Sequence, residues 1–221
     1  MSETVRLTPG SGLIYRMRPG LPASAPPVLL LHGLGGDEDV MWVFESALPL
    51  RSIAVAPRAL LPAAEGGYSW ARKPADGFPS AADFEPAVEA IIGLLTGLRT
   101  EIGVGESEWV WMGFSQGAGL AFAGAARAAA RVAGVVAMAG FLPEGFDSSS
   151  LARLASLPVY WGHGTQDDQV PVERARRDVA RLRQAGVDVS YCEADVGHKL
   201  GAECLRGLSS WLARGPAAQR L

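Results

Sequence analysis

The sequence predicts an α/β protein in which a mostly parallel central sheet has helices on both faces. Continuous apolar runs such as Val28–Leu31 and Val132–Ala139 alternate with segments whose apolar residues recur at helical spacing. Runs without polar alternation are typical of strands buried on both faces, as in parallel sheets. A third observation is the Gly-x-Ser-x-Gly sequence at 113–117, between an apolar run and an alanine-rich helix.

Length and composition indicate one domain of ordinary size. The 221 residues predict a single unit over 1–221, with a core from about 13 to 213 and a short flexible tail at 214–221. A net charge of -3 and the absence of a long apolar span argue against nucleic acid and against stable membrane association. The N-terminal residues lack a secretory pattern, so we expect a cytoplasmic protein. Cys192 and Cys204 are then expected to be reduced.

The first half of the chain is predicted to contain strand, helix, strand. Leu13–Met17 has the pattern of a short edge strand, and the proline-rich stretch at 19–27 is expected to be a surface connection. Val28–Leu31 and Ile53–Ala56 are buried strands, with a helix predicted over Glu38–Leu48 between them. Arg58–Pro79 is a long irregular segment, and loops of that length in a compact domain are usually functional.

The second half repeats the alternation. We expect a helix beginning at an Asp83 N-cap, with Pro86 in its first turn. Further helices are predicted over Gln116–Ala130, over Val172–Ala185 with a solvated arginine face, and along the stripe from Leu200 to Leu212. Strands are predicted at Trp109–Met112, Val132–Ala139, Pro158–Gly162 and Val187–Cys192. The short connection at 140–157 leaves no room for a large lid domain.

Ser115 is a candidate nucleophile, because a serine on a tight turn between strand and helix is lifted clear of the sheet. A serine hydroxyl needs a neighbouring base and a third group that orients that base. Of the three histidines, only His198 follows both Ser115 and an acidic loop, which gives the order serine, acid, histidine. The acid is Asp167 or its neighbour Asp168.

Four motifs in this order resemble those of the phospholipase/carboxylesterase family of α/β-hydrolases. They are Leu31-His32-Gly33-Leu34-Gly35, Gly113-Phe114-Ser115-Gln116-Gly117, His163-Gly164-x-x-Asp167 with Val170-Pro171, and Gly197-His198. The resemblance implies an α/β-hydrolase fold, with Ser115 as nucleophile, His198 as base and Asp167 as the acid. It also implies an oxyanion hole formed by the backbone N–H groups of Leu34 and Gln116. The second donor is expected independently, because it begins a helix after the nucleophile.

Five apolar residues near the predicted carboxyl ends of strands are candidates for the substrate pocket: Trp70, Phe114, Phe141, Leu142 and Val170. His32 and His163 each precede a glycine at a strand end. We expect both to have structural roles, and His163 to hydrogen-bond the loop that carries Asp167.

These residues predict a serine carboxylesterase that works through an acyl-enzyme on small-molecule esters, without a metal or an organic cofactor. The lack of a lid favours short- to medium-chain soluble esters. Removal of longer acyl chains, as by an acyl-protein thioesterase or a lysophospholipase, is the closest alternative. A peptidase, a lactone-type hydrolase and a non-catalytic ligand-binding protein remain open. The chain could be a monomer or a homodimer.

Overall fold

A computed structural model describes residues 3–7, 12–21, 25–72, 74–102 and 108–215. Its main sheet has eight strands in the spatial order β1-β2-β4-β3-β7-β8-β9-β10. β1 and β2 pair antiparallel, as do β2 and β4, whereas every other pairing in this sheet is parallel. The strands are β1 (Glu3–Leu7), β2 (Ile14–Arg18), β3 (Val28–Leu31), β4 (Ala54–Pro57), β7 (Trp109–Phe114), β8 (Val132–Met138), β9 (Val159–Gly164) and β10 (Val189–Ala194).

The helices cover both faces of this sheet, as the sequence predicts. They are α1 (Ala81–Ile102), α2 (Gln116–Arg127), α3 (Ser148–Ala152), α4 (Val172–Gln184) and α5 (Ala202–Arg214), with 3₁₀ helices at Val40–Ala47 and Ala129–Arg131. Side chains of α1, α2 and α4 join one apolar cluster, and those of α5 and the first 3₁₀ helix join another. In β3, Leu29 and Leu31 belong to the first cluster and Val28 and Leu30 to the second, so this strand is buried on both faces.

The described part of the chain differs from the predicted elements at several points. β2 is not an edge strand, because β1 adds outside it. The helix expected over 38–48 is a shorter 3₁₀ helix, and the segment at 58–79 contains a small hairpin, β5 (Leu61–Pro62) with β6 (Tyr68–Ser69). Most of the predicted tail at 214–221 lies outside the described residues.

The N-cap of α1 also lies three residues earlier than predicted. The Ser80 N–H and hydroxyl both donate to the Asp83 carboxylate, at 2.8 and 2.7 Å, while the Asp83 N–H donates back to the Ser80 hydroxyl at 3.3 Å. This reciprocal pairing is a capping box, in which the serine is the cap and the acid is the third helical residue. Pro86 therefore lies beyond the first turn of α1.

The expectation of reduced cysteines is wrong. Cys192 lies on β10 and Cys204 on the buried side of α5, and the two form a disulfide across a sequence separation of 12 residues. Strand and helix were predicted correctly, but their packing distance could not be read from the sequence. Because disulfides are rare in a reducing cytoplasm, the bond also removes one reason for expecting that compartment. None of the described helices has both the length and the apolarity that a membrane crossing requires.

The disulfide should contribute to stability by restricting the unfolded chain. A closed loop of this length is worth about 3 kcal/mol of unfolding free energy. We therefore expect a reductant to lower the urea midpoint of the wild-type protein. The Cys192→Ala/Cys204→Ala double variant should have the lower midpoint from the start and should not respond to the reductant. An equal midpoint for oxidised and reduced wild type would contradict this expectation.

Candidate active site

Ser115 lies on the turn between β7 and α2, at the carboxyl edge of the sheet. Its backbone has φ 53° and ψ -115°, a left-handed conformation that costs a non-glycine residue about 1–3 kcal/mol. The turn can be this tight because its two glycines lack side chains. A Cβ at Gly113 would lie 2.1 Å from the Gly117 carbonyl oxygen, and one at Gly117 would lie 2.2 Å from the Leu31 carbonyl oxygen. The sequence motif and the strained backbone therefore have the same physical cause.

Asp167 and His198 face each other across the loops that follow β9 and β10. His198 Nδ1 is 2.8 Å from Asp167 Oδ2 and 3.0 Å from Oδ1. The Asp167 side chain is fully buried, and its Oδ1 also accepts the backbone N–H groups of Gln169 at 3.0 Å and Val170 at 2.9 Å. Asp168 is exposed. Of the two adjacent acids, only Asp167 is placed to orient the imidazole.

Ser115 and His198 line the same cavity, whose volume is about 1000 Å³. Within the described residues, no hydrogen bond joins the Ser115 hydroxyl to the imidazole. The Phe114 ring lies against the His198 ring, with centroids 5.0 Å apart. The Ser115 and His198 side chains thus lie at the surface of the same cavity without a hydrogen bond between them. In catalytic sites, hydrogen bonds of this kind commonly tighten only when substrate is bound.

Two backbone N–H groups beside Ser115 have no acceptor among the described residues: those of Leu34 and Gln116. Gln116 is the first residue of α2, where a helix leaves its N–H groups unpaired. The Leu34 N–H belongs to the same peptide group as the Gly33 carbonyl, and that carbonyl accepts the Nδ1–H of His32 at 2.7 Å. In a trans peptide the N–H points opposite to the carbonyl, so this bond turns the Leu34 N–H away from the buried His32 ring.

His32 and His163 are both fully buried and both satisfied as neutral rings. His32 donates from Nδ1 to Gly33, and its Nε2 accepts the backbone N–H of Ala59 at 3.1 Å. His163 donates from Nε2 to the Val170 carbonyl at 2.8 Å, and its Nδ1 accepts Trp161 Nε1–H at 3.4 Å. Burial lowers the pKa of each imidazole below its ordinary value of 6.5.

The hairpin of β5 and β6 forms one wall of the cavity and is held directly to the glycine-rich loop after β3. Gly35 N–H donates to the Tyr68 carbonyl and Tyr68 N–H to the Gly36 carbonyl, each at 2.9 Å. The side chain of Gln116 reaches the same segment, because its Oε1 accepts the Trp70 N–H at 2.9 Å. The glycine-rich loop, the hairpin and the turn that carries Ser115 are therefore connected by hydrogen bonds.

Of the five predicted pocket residues, only Phe114 lines this cavity. Trp70, Phe141, Leu142 and Val170 are buried in the core instead, with at most 2% of their surface exposed. Each lies near a strand end, as predicted, but packs under the site and not along it.

Most of the cavity walls that the sequence did not predict are polar or small residues, with Leu61 as an apolar exception. They include the hairpin residues 61–67, Arg72 and Gln169. Their signal was the unusual length of the segment at 58–79. No group of three or more His, Cys, Asp or Glu side chains within the described ranges could hold a metal ion.

The two buried histidines should make stability depend on pH. Each ring is neutral when folded, whereas its unfolded counterpart binds a proton below about pH 6.5. The unfolding free energy should therefore be highest above that pH and should decrease on acidification, by up to about 1.4 kcal/mol per pH unit for each ring. Urea midpoints at pH 7.5 and 5.0 measure the difference. His163→Asn should reduce that difference, and an unchanged difference would contradict the assignment.

Comparison with known proteins finds relatives that match most of the chain. Residues 18–214 match the model of the phospholipase/carboxylesterase family. Carboxylesterase SOBER1 of Arabidopsis thaliana is 26% identical over 212 residues, covering 85% of this chain and 89% of that protein. Acyl-protein thioesterase 1 of Kluyveromyces lactis is 29% identical over 168 residues, covering 66% of this chain and 71% of that protein.

Solved structures share the fold. The crystal structure of a Bacillus cereus carboxylesterase superposes with a TM-score of 0.81 at 22% identity, covering 91% of this chain and 94% of that one. At this identity the likeness concerns the fold alone. Because the family model matches residues 18–214, well over half of the chain, the chain belongs to the phospholipase/carboxylesterase family.

Proposed function

We propose that this protein is a serine carboxylesterase that hydrolyses short- to medium-chain esters, with Ser115 as nucleophile, His198 as base and Asp167 as the orienting acid. The observation that carries the proposal is the hydrogen bond between His198 and the buried Asp167, because His198 lines one cavity together with a serine on a strained turn. Family membership supports serine hydrolase chemistry, and the relative SOBER1 is a carboxylesterase.

In the first step, the Ser115 hydroxyl attacks the ester carbonyl while His198 Nε2 takes its proton. Asp167, hydrogen-bonded to Nδ1, holds the tautomer that leaves Nε2 free to accept and stabilises the imidazolium that forms. The oxygen of the tetrahedral intermediate is stabilised by the N–H groups of Leu34 and Gln116, which have no other acceptor within the described chain. The alcohol then leaves with the proton from His198.

In the second step, water attacks the acyl-enzyme. His198 takes a proton from the water as the bond to the acyl carbon forms, and returns it to Ser115 as the serine departs. The same two N–H groups stabilise the second tetrahedral intermediate. No step requires a metal ion or an organic cofactor.

The substrate class follows from the shape of the cavity. A small hairpin forms one wall of the cavity, and the connection at 140–157 carries only the short helix α3, so no large lid encloses the site within the described residues. An open cavity favours soluble esters over emulsified long-chain fat. Thioester hydrolysis on longer acyl chains is the second candidate, favoured by the similarity to acyl-protein thioesterase 1. A preference for palmitoyl over butyryl substrates would favour that alternative.

The proposal is tested by p-nitrophenyl esters from acetate to palmitate. We expect the highest kcat/KM at short to medium chains and a loss of about 10⁴-fold or more in kcat for Ser115→Ala. Asp167→Asn should lose about 10⁴-fold, because the wrong tautomer of the histidine is then stabilised. The matched variant Asp168→Asn, at an exposed position, should remain close to wild type. Activity retained by Ser115→Ala, or equal losses in the two aspartate variants, would refute the assignment.

The hairpin provides a second test, of the Leu34 N–H. A Cβ at Gly67 would lie 1.9 Å from the Gly35 carbonyl oxygen, whereas one at Gly66 meets nothing within 4 Å. Both glycines have positive φ, so both alanine variants are strained. Only Gly67→Ala must also displace the glycine-rich loop at 33–36 after β3, which carries the Leu34 N–H and which we call the oxyanion loop. Because a lost oxyanion donor costs about 100- to 1,000-fold, we expect kcat to fall at least tenfold further in Gly67→Ala than in Gly66→Ala. Equal kcat values would contradict this role.

A further inference from the structure

A second, apolar pocket of about 490 Å³ adjoins the catalytic cavity. We call it the side pocket. Its walls come from the oxyanion loop, from the first 3₁₀ helix, from the residue before Ser115 and from the two residues after His198. The side chains that matter here are Leu34, Val40, Met41, Phe44, Phe114 and Leu200.

The side pocket borders the catalytic cavity. Both are lined by the segment Gly33–Gly35 and by Phe114, so only these residues separate them. Ser115 and His198 line the larger cavity and do not line the side pocket. A substrate whose carbonyl carbon lies at Ser115 can therefore extend one arm into each space.

The rim of the side pocket leaves apolar side chains in water. Val43 is 74% exposed, Val40 47% and Leu34 44%. Grouped apolar exposure beside a reacting centre is typical of a ligand site, because binding then removes that surface from water. The only charged residue of the lining in the described chain is Lys199, which is exposed. The chemistry of the pocket thus favours an uncharged alkyl or aryl group.

We propose that the side pocket binds the alcohol arm of the ester, and that its preferred substrates are esters of short apolar alcohols. This inference rests on the proposed function. When the bond from Ser115 Oγ to the carbonyl carbon forms and the bond to the alcohol oxygen breaks, the acyl group stays on Ser115, which lines the larger cavity. The departing oxygen takes its proton from His198.

The neighbours of His198 determine which arm lies where. Lys199 and Leu200 follow the histidine directly and wall the side pocket, and Phe114, which contacts the His198 ring, borders both spaces. An alcohol oxygen held at the imidazole therefore directs its carbon chain past Phe114 toward Leu200 and the 3₁₀ helix. The larger cavity, under the hairpin, remains for the acyl arm.

The test compares two ester series on one protein. In the first, acetate is constant and the alcohol lengthens from methyl through ethyl and butyl to hexyl. In the second, methanol is constant and the acyl group lengthens from acetyl to hexanoyl. All acetates form the same acetyl-enzyme, so differences in kcat/KM along the first series report on acylation alone. Val40→Trp fills the side pocket from an exposed position, and Leu50→Trp, at a residue 96% exposed and outside both cavities, is the matched control.

We expect wild-type kcat/KM to increase by up to about fourfold per methylene along the alcohol series until the pocket is filled. Val40→Trp should remove that increase, lowering kcat/KM for hexyl acetate by about tenfold or more, with methyl acetate and methyl hexanoate nearly unchanged. Leu50→Trp should behave as wild type in both series.

Two results would overturn the inference: a selective loss in the acyl series for Val40→Trp, or no effect of that variant on either series. A failure of the proposed function is recognised separately, because Ser115→Ala would then still hydrolyse methyl acetate. A Ser115→Ala protein without activity, together with an unaffected alcohol series in Val40→Trp, would leave the esterase mechanism intact and reject only the side pocket.

Discussion

The rest of the site depends on the hydrogen bonds that the buried carboxylate of Asp167 accepts. A charged group taken out of water is tolerated only when its oxygens are hydrogen-bonded. Here the two donors from the following turn and the His198 imidazole provide those bonds. One side chain thereby determines the conformation of the loop after β9 and the position of the histidine after β10. The hydrogen bond that satisfies this carboxylate is therefore also the one that orients the His198 ring.

A second set of contacts maintains the glycine-rich loop after β3. His32 holds the Gly33 carbonyl, the hairpin strand β6 pairs with Gly35 and Gly36, and the Gln116 side chain connects that hairpin segment to the nucleophile turn. Both buried histidines thus act through hydrogen bonds from neutral rings, His163 on the acid loop and His32 on the loop that carries the Leu34 N–H. Their neutrality has a cost, because acid conditions favour the unfolded chain, in which the rings can be protonated.

The disulfide encloses the segment that carries His198, and the side pocket is lined by two residues of the same segment. Cys192 and Cys204 are each six residues from the histidine, and the bond between them closes the loop at its base. The two residues after the histidine then face the side pocket. The loop that carries the proposed base therefore also forms part of the proposed alcohol site. The position of the base and the specificity for the alcohol group are thus coupled through one short segment.

The sequence alone determined the alternation of strands and helices, because burial on both faces leaves a continuous apolar run and burial on one face leaves a helical period. It also identified the serine turn, since the close backbone approach at Gly113 and Gly117 excludes any side chain. Other features depend on which segments become neighbours in space. The pairing of Cys192 with Cys204, the added strand β1 and the burial of Trp70 and Phe141 are of this kind. Local pattern reports whether a residue is apolar and near a strand end, but only the tertiary packing decides whether that residue faces the cavity or the core beneath it.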